Sequence, residues 1–224
     1  MVSTFHSSSI YQDSVRLLFI LYFCSDQPSE PLGLKFPENQ NFVAYIESET
    51  KLQKIDFWIR YPDYLCAALL HACEFPGREL FDQRHQIKEI VRMIFVDNEP
   101  ELRFIPMLKY LRGAYEPLDH VMAFLSSRDL AFPRPSLPKR KTRYNLTEKG
   151  KDAVEGILKD CPNSLWYRDR CRLINNYFGH WNGFEMRETQ YRETKYQVAP
   201  NLAIIKRIDD EIKSRFQNQF GEPL

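Results

Sequence analysis

"LAFPRPSLPKRKTRYNLTEKGKDAVEGIL", residues 130–158, sets two short apolar runs on either side of a basic, proline-rich tip and follows them with a capped helix. The runs "LAF" (130–132) and "TRYNL" (142–146) are short enough to pair as an antiparallel hairpin. Thr147 ends the second run and offers its hydroxyl to the first amides of a helix, "EKGKDAVEGILKD". Upstream, "PLDHVMAFLSSRDL" (117–130) spaces Leu118, Val121, Met122 and Leu125 along one helical face, with Asp119 in the favourable first turn. Helix, hairpin, helix is the order of a winged helix-turn-helix. The expected fold class is therefore mostly α with a small β-hairpin, a winged helix-turn-helix core carrying further helices.

The flanking sequence is helical in pattern. Ser9 and Gln12 have the spacing of a reciprocal cap at the head of "SIYQDSVRLLFILYFC" (9–24), whose almost wholly apolar body belongs in a core. The stretch "SDQPSEPLGLKFPENQN" (25–41) has no period and reads as an exposed connection. Thr50 with Gln53 predicts a second capped helix, "TKLQKIDFWIR", in which Leu52, Ile55, Trp58 and Ile59 share a face. Tyr61-Pro62 breaks or re-aims it into "PDYLCAALLHAC", with a stripe of Leu65, Ala68, Leu69 and Ala72. Helices are also expected in "HQIKEIVRMIFV" (85–96), in "SLWYRDRCRLINNYFG" (164–179), closed by Gly179, and in "NLAIIKRIDDEIKSRF" (201–216). A winged-helix domain over 1–160 and a C-terminal helical extension over 161–224 follow from this order.

Composition narrows the function classes. Lys and Arg number 31 against 30 Asp and Glu, so any nucleic-acid contact must come from local asymmetry. Only 8 glycines stand beside 16 Phe, 12 Tyr and 3 Trp, a balance that favours helices and aromatic contacts over glycine-rich phosphate loops. Cys24, Cys66, Cys73, Cys161 and Cys171 are odd in number and widely spaced among apolar neighbours, as reduced buried thiols are. The run "VRLLFILYFC" (15–24) lacks a basic start, has Asp13 in front of it and is too short to span a bilayer. The expected location is the cytoplasm, with no membrane partner.

Between residues 134 and 151 seven cations (Arg134, Lys139, Arg140, Lys141, Arg143, Lys149, Lys151) face one anion, Glu148, a local excess of +6. Each neutralised phosphate releases condensed counterions, so Arg134, Lys139, Arg140, Lys141 and Arg143 form a candidate grip on the backbone of double-stranded DNA. The plain alternative is a hairpin kept soluble, and its edge blunted, by charge. Sequence-specific reading is less favoured. The helix that would enter the major groove offers Asp119, His120, Ser126, Ser127 and Arg128, and an aspartate near its start repels phosphate. In "DFWIRYPDYL" (56–65), Phe57, Trp58, Tyr61 and Tyr64 are too many to point into one core from a kinked helix. With Arg60 they form a candidate partner-binding surface.

Catalytic signatures are sparse. There is no phosphate-binding loop, no paired-cysteine zinc spacing and no pair of histidines one helical turn apart. Cys66, His71 and Cys73 cluster on one helix, but only two of them could share a face, so no metal is expected. A metal-dependent nuclease would need convergent carboxylates and a lysine. "ETK" offers Glu49 to Lys51 at a helix cap and Glu193 to Lys195 within "MRETQYRETKY", where alternating Arg and Glu read more simply as a solvated face. No catalytic residue, metal or cofactor is assigned, and a non-enzyme is expected. A stand-alone winged-helix transcriptional regulator is the rival from another class, with the nuclease behind it.

Three stretches, "TKLQKIDFWIRYPDYL" (50–65), "LRGAYEPLDHVMAFLSSRDL" (111–130) and "YNLTEKGKDA" (144–153), together resemble the middle components of bacterial ABC-three-component systems, related to the accessory subunit of Lamassu-type defence. Its most specific parts are Lys54-Ile55-Asp56-Phe57 running into Arg60-Tyr61-Pro62, and Arg112-Gly113 ahead of Pro117. The resemblance implies a non-catalytic winged-helix subunit that joins an SMC-like ABC ATPase. It also implies an effector, commonly a nuclease, held silent until phage or plasmid DNA is sensed. It further implies a three-helix core from 9–24, 50–60 and 117–128, with 62–111 as a helical insertion. The long wing "PRPSLPKRK" (133–141) departs from the family pattern, so DNA contact by the wing is an expectation from its charge alone.

Overall fold

The computed structural model describes residues 9–26, 41–110, 113–136 and 141–224, with Ser136 and Lys141 described in their backbone only. Along it run α1 (Ile10–Phe23), β1 (Phe42–Ile46), α2 (Glu49–Arg60) and α3 (Pro62–Ala72), then α4 (Arg84–Val96) and the single turn α5 (Glu99–Leu102). Two-residue strands β2 (Lys109–Tyr110) and β3 (Gly113–Ala114) lead to α6 (Asp119–Ser126), β4 (Ala131–Ser136), β5 (Lys141–Thr147) and α7 (Glu148–Asp160). The remainder is helical: α8 (Leu165–Phe178), α9 (Gly183–Tyr191), α10 (Thr194–Val198) and α11 (Asp209–Phe220). The protein is mostly helical with a small antiparallel sheet in the order β1-β5-β4. Most of the expected connection at 25–41, namely 27–40, lies outside the described residues, as do Arg112 of the family motif and Lys139 and Arg140 of the basic tip.

Two compact units share the chain. Residues 1–56 and 116–184 form the first, 57–115 and 185–224 the second. In the first, the Ser9 hydroxyl accepts from the Gln12 amide at 3.2 Å while the Gln12 side chain accepts from the Ser9 amide at 3.0 Å, the reciprocal cap its spacing predicts. Leu17 to Leu21 are buried as α1 packs against α6, α7 and α8. Arg16 goes into this core with its charge paired: Nη2 is 2.7 Å from Asp13 and Nε donates to Asp56 of α2. Such a buried triad is costly to break by one member, because an uncompensated charge would remain.

β5 is the central strand. Its register against β1 (Ala44 with Leu146, Ile46 with Tyr144) and β4 (Ala131 with Leu146) gathers Ala44, Ile46, Ala131, Tyr144 and Leu146, all buried, on one face. Tyr45, Phe132, Arg134, Arg143 and Asn145 occupy the other. At the end of β5 the Thr147 hydroxyl accepts from the Gly150 amide at 2.9 Å and donates to the Asp129 carbonyl at 2.6 Å, tying the foot of the hairpin to α7. Strand β1 was not anticipated, because its pairing partner lies about a hundred residues away and the five residues "FVAYI" show no marked alternation. The cap of α2 also differs from expectation. Ser48, not Thr50, accepts from the Lys51 amide at 3.2 Å, while Gln53 bridges the backbone of Glu116 through bonds of 2.6 and 3.2 Å.

In the second unit the structure corrects the reading of the aromatic stretch. Phe57, Trp58, Arg60, Tyr61 and Tyr64 are all buried, none more than 2% exposed, so they are core and not a docking face. The break at Tyr61-Pro62 does not force any of them outward, because the polar ends of Arg60, Tyr61 and Tyr64 find backbone partners. The Tyr61 hydroxyl donates to the Ile205 carbonyl at 3.0 Å and accepts from the Met107 amide at 2.9 Å, and Tyr64 donates to Lys206 at 2.9 Å. Arg60 donates to the carbonyls of Ile105 and Pro106 at 3.1 and 2.7 Å. The rings pack on one another, Phe57 stacked on Tyr61 at 4.5 Å and Tyr61 edge-on to Phe104 at 5.0 Å.

Those same bonds explain why the terminal helix starts at Asp209 and not near 201. Residues 202–205 instead bond to 107–109: Leu202, in a turn at φ 62°, donates to Lys109 at 2.7 Å, Lys109 to Ala203 at 3.0 Å and Ile205 to Met107 at 3.0 Å, with Ile204 bridged to Leu108. Backbone groups engaged in that ladder are not available to a helix. The helix α8 packs on α1 in the first unit, whereas 185–224 shares the second unit with 57–115. The expected extension 161–224 is therefore divided between the units, and the expected insertion 62–111 is joined by the C-terminal segment.

Candidate nucleic-acid interface

Strands β4 and β5 pair as a hairpin, with Arg134 directly opposite Arg143 and Ser136 opposite Lys141. Cross-strand partners share a face, so the two arginines stand side by side. Each lies against an aromatic ring: Arg143 over Tyr45 of β1 at 4.1 Å and Arg134 over Phe132 at 5.2 Å. Arg143 is further held by Glu47, 2.8 Å from its Nη2, and its side chain is only 16% exposed. It is thus a structural cation that fixes β5 to the β1 end, with little of its charge left for a ligand.

The excess of +6 along the sequence is smaller in space. Besides the Arg143 pair with Glu47, Lys149 meets Asp129 at 3.8 Å and Lys151 meets Glu148 at 2.8 Å. Two of those anions lie outside 134–151, which is why counting along the chain missed them. Lys139 and Arg140 fall outside the described residues, and Lys141 opens β5. Helix α6, which precedes the hairpin, turns Asp119, His120 and Ala123 outward, with Ser127 and Arg128 exposed just past its end, while Val121, Met122 and Leu125 are buried. Only Arg128 on that surface is a strong reader of base edges, and Asp119 opposes phosphate.

Of the residues weighed for catalysis, Glu193 and Lys195 are each engaged by another charged side chain. Glu193, buried and not solvated as its alternating neighbours suggested, makes a two-pronged pair with Arg215 at 3.0 and 2.9 Å. Lys195 pairs with Glu211 at 2.8 Å. Nearby, a cavity of about 760 Å³ is lined by Glu74, Asp210, Glu211, Ser214 and Arg215 among others. Among the described residues no group of three or more metal-ligating side chains comes together, and no helix is long and apolar enough to cross a membrane. Four of the five cysteines are buried free thiols, but Cys161 is exposed, contrary to the reading of all five as buried.

Set beside protein-family models, curated proteins and solved structures, the chain finds no match in any of the three.

Proposed function

We propose that the first unit is a winged helix and that the chain is a non-catalytic accessory subunit of an SMC-like ABC ATPase complex in bacterial defence against phage or plasmid DNA. In this reading it links the ATPase to an effector, a nuclease, in the cytoplasm, needs no cofactor, and touches double-stranded DNA through the tip of the β4–β5 wing. The observation that supports the fold assignment is the order α1, β1, α2, α6, β4, β5, with β5 between β1 and β4 and the cationic "PKRK" (138–141) reached in sequence between β4 and β5. The partner assignment is supported by the resemblance of 50–65, 111–130 and 144–153 to middle components of ABC-three-component systems. The outward face of α6 favours a backbone grip by the wing over base reading by the helix. The pairing of Glu193 and Lys195 with Arg215 and Glu211 supports a non-catalytic role.

Binding of the full chain to random duplex DNA across a salt series tests the wing. The informative variant changes Lys139, Arg140 and Lys141 to Ala and leaves Arg143, whose loss would also strip Tyr45 and Glu47 of their partner. Wild type should bind more tightly as salt falls, and the variant's log–log slope should be shallower by roughly 0.9 for each phosphate it no longer neutralises. Equal slopes would remove the wing from the interface. Preference for one palindromic site by a symmetric dimer would instead mark a stand-alone regulator. Failure of an SMC-like ATPase to co-purify after co-expression would remove the assembly.

A further inference from the structure

In the second unit, His71 near the end of α3 meets a side chain that dictates its protonation. Arg192, in the turn after α9, brings Nη1 to within 2.5 Å of His71 Nε2. A guanidinium has only donors, so Nε2 must accept, and the single ring proton of the neutral imidazole must sit on Nδ1. On that other side, Glu74 Oε2 lies 3.4 Å from Nδ1. The ring thus stands between a cation that it can hold only while neutral and an anion with which it forms an ion pair only when protonated.

The surroundings favour the neutral ring. Burial does most to hold the His71 pKa below its ordinary value; Arg192 and Arg78 lower it further, Arg215 adds to them, and Glu74 opposes. These charges come from three segments: Glu74 and Arg78 from the turn after α3, Arg192 from the turn after α9, and Arg215 from α11. Two of the cations have contacts of their own, Arg78 over the Phe75 ring at 4.5 Å and Arg215 with Glu193 at 3.0 and 2.9 Å. Arg192 is exposed, and its recorded contact is the histidine nitrogen.

We propose that His71 is a proton-operated latch: neutral, it accepts from Arg192 and holds the end of α9 beside α3; protonated, it keeps Glu74 and releases Arg192. One proton enters at Nε2, and the acceptor that Arg192 used is gone. The exchange redistributes charge between two cavities of the second unit. Glu74, which lines the cavity of about 760 Å³ with Arg215, becomes neutralised by the imidazolium. Arg192, which lines another of about 470 Å³ with Glu188, Tyr191 and Gln197, becomes an uncommitted cation there. Because the folded ring binds its proton less readily than the unfolded one, the contact contributes fully above the ordinary histidine value of about 6.5 and is lost as pH falls through the folded value. The latch is independent of the assembly proposed above.

The test is nitrogen NMR of the imidazole rings in the full chain between about pH 4 and 8, with His71 assigned by the signals lost in His71→Gln. Wild type should show His71 as the Nδ1–H tautomer, opposite to the form free imidazole prefers in water, with a midpoint below the ordinary value. The Arg192 side-chain signals should move with that same midpoint. Arg192→Ala changes an exposed side chain, so the variant should fold; it should return the ring to the Nε2–H tautomer and shift the midpoint upward. Glu74→Gln should shift it downward and leave the tautomer as in wild type. An Nε2–H tautomer in wild type, or a midpoint that Arg192→Ala does not move, would overturn the latch. Titration of His71 with no change at Arg192 would overturn the release, and the proposal with it.

Discussion

Gly150 and Gly156 both lie in α7, and a methyl group added to each should act with opposite sign. In a helix interior Gly→Ala ordinarily gains about 0.8–1.0 kcal/mol. Gly156 has no atom within 4 Å of an added Cβ, so Gly156→Ala should stabilise the chain by about that amount. A Cβ on Gly150 would fall 2.2 Å from the Leu130 carbonyl oxygen and 2.7 Å from the Leu146 side chain. The backbone at the foot of the hairpin would have to move, so Gly150→Ala should cost about 1–3 kcal/mol. Urea unfolding of the two variants checks both signs, and a stabilised Gly150→Ala would contradict the close approach. The motif "LTEKG" is legible as a cap from Thr147 alone. The need for glycine is not, since Leu130 comes from the preceding turn, 20 positions away.

At the start of α3, Asp63 accepts from the Ile208 amide at 2.6 Å, fastening the non-helical 202–208 segment to the helix. Burial is the main cause that pushes its carboxyl up to about 7, with Asp209 adding to the effect and the bond from Ile208 opposing it. A folded-state value above the unfolded one means that, between about pH 4 and 7, the folded chain retains a proton that the unfolded chain has released. Its contribution is therefore most favourable below that window and declines as pH rises through it, by an amount on the order of a few kcal/mol. Asp63→Asn keeps an oxygen for Ile208 and removes the charge. The variant should gain on wild type as pH rises from 5 to 7.5, and parallel stability profiles from urea unfolding would refute the assignment. Helices with strong apolar stripes, α1 and α3 above all, were legible because their period is local. The stretch 202–208 also carries apolar residues that suit a helix, and only the backbone bonds offered by 107–109 keep it out of one.

Thiol chemistry reports on the chain as a whole. Cys24, Cys66, Cys73 and Cys171 are buried and Cys161 alone is exposed, at the end of α7. Burial also pushes the Cys171 thiol up, away from its reactive thiolate form. A maleimide at neutral pH should label one thiol rapidly in the folded chain and all five in denaturant, with Cys161→Ser abolishing the fast phase. Rapid labelling of more than one in the folded protein would show that α1, α3 or α8 packs less tightly than described. The odd count and the apolar neighbours pointed to free thiols from the sequence. The exposure of Cys161 was hidden because its neighbours Ile157 and Leu165 look as apolar as those of the buried four.

Signals that act within a few residues were determined by the sequence alone: the reciprocal cap of Ser9 and Gln12, the Thr147 cap, the break at Tyr61-Pro62, and the hairpin between α6 and α7. Each depends on hydrogen bonds or dihedral limits between near neighbours, so the residues that decide it are adjacent on the page. Tertiary structure alone decided which charges remain available, since Glu47 reaches Arg143 from β1, 96 positions earlier in the chain. It also decided which aromatics are core. Arg60, Tyr61 and Tyr64 become buried when 105–107 and 205–206 supply partners for their polar ends, while Tyr11, in the first turn of α1, stays outside against Phe124. Burial is a property of what comes to lie over a side chain, and here the cover arrives from segments remote in sequence.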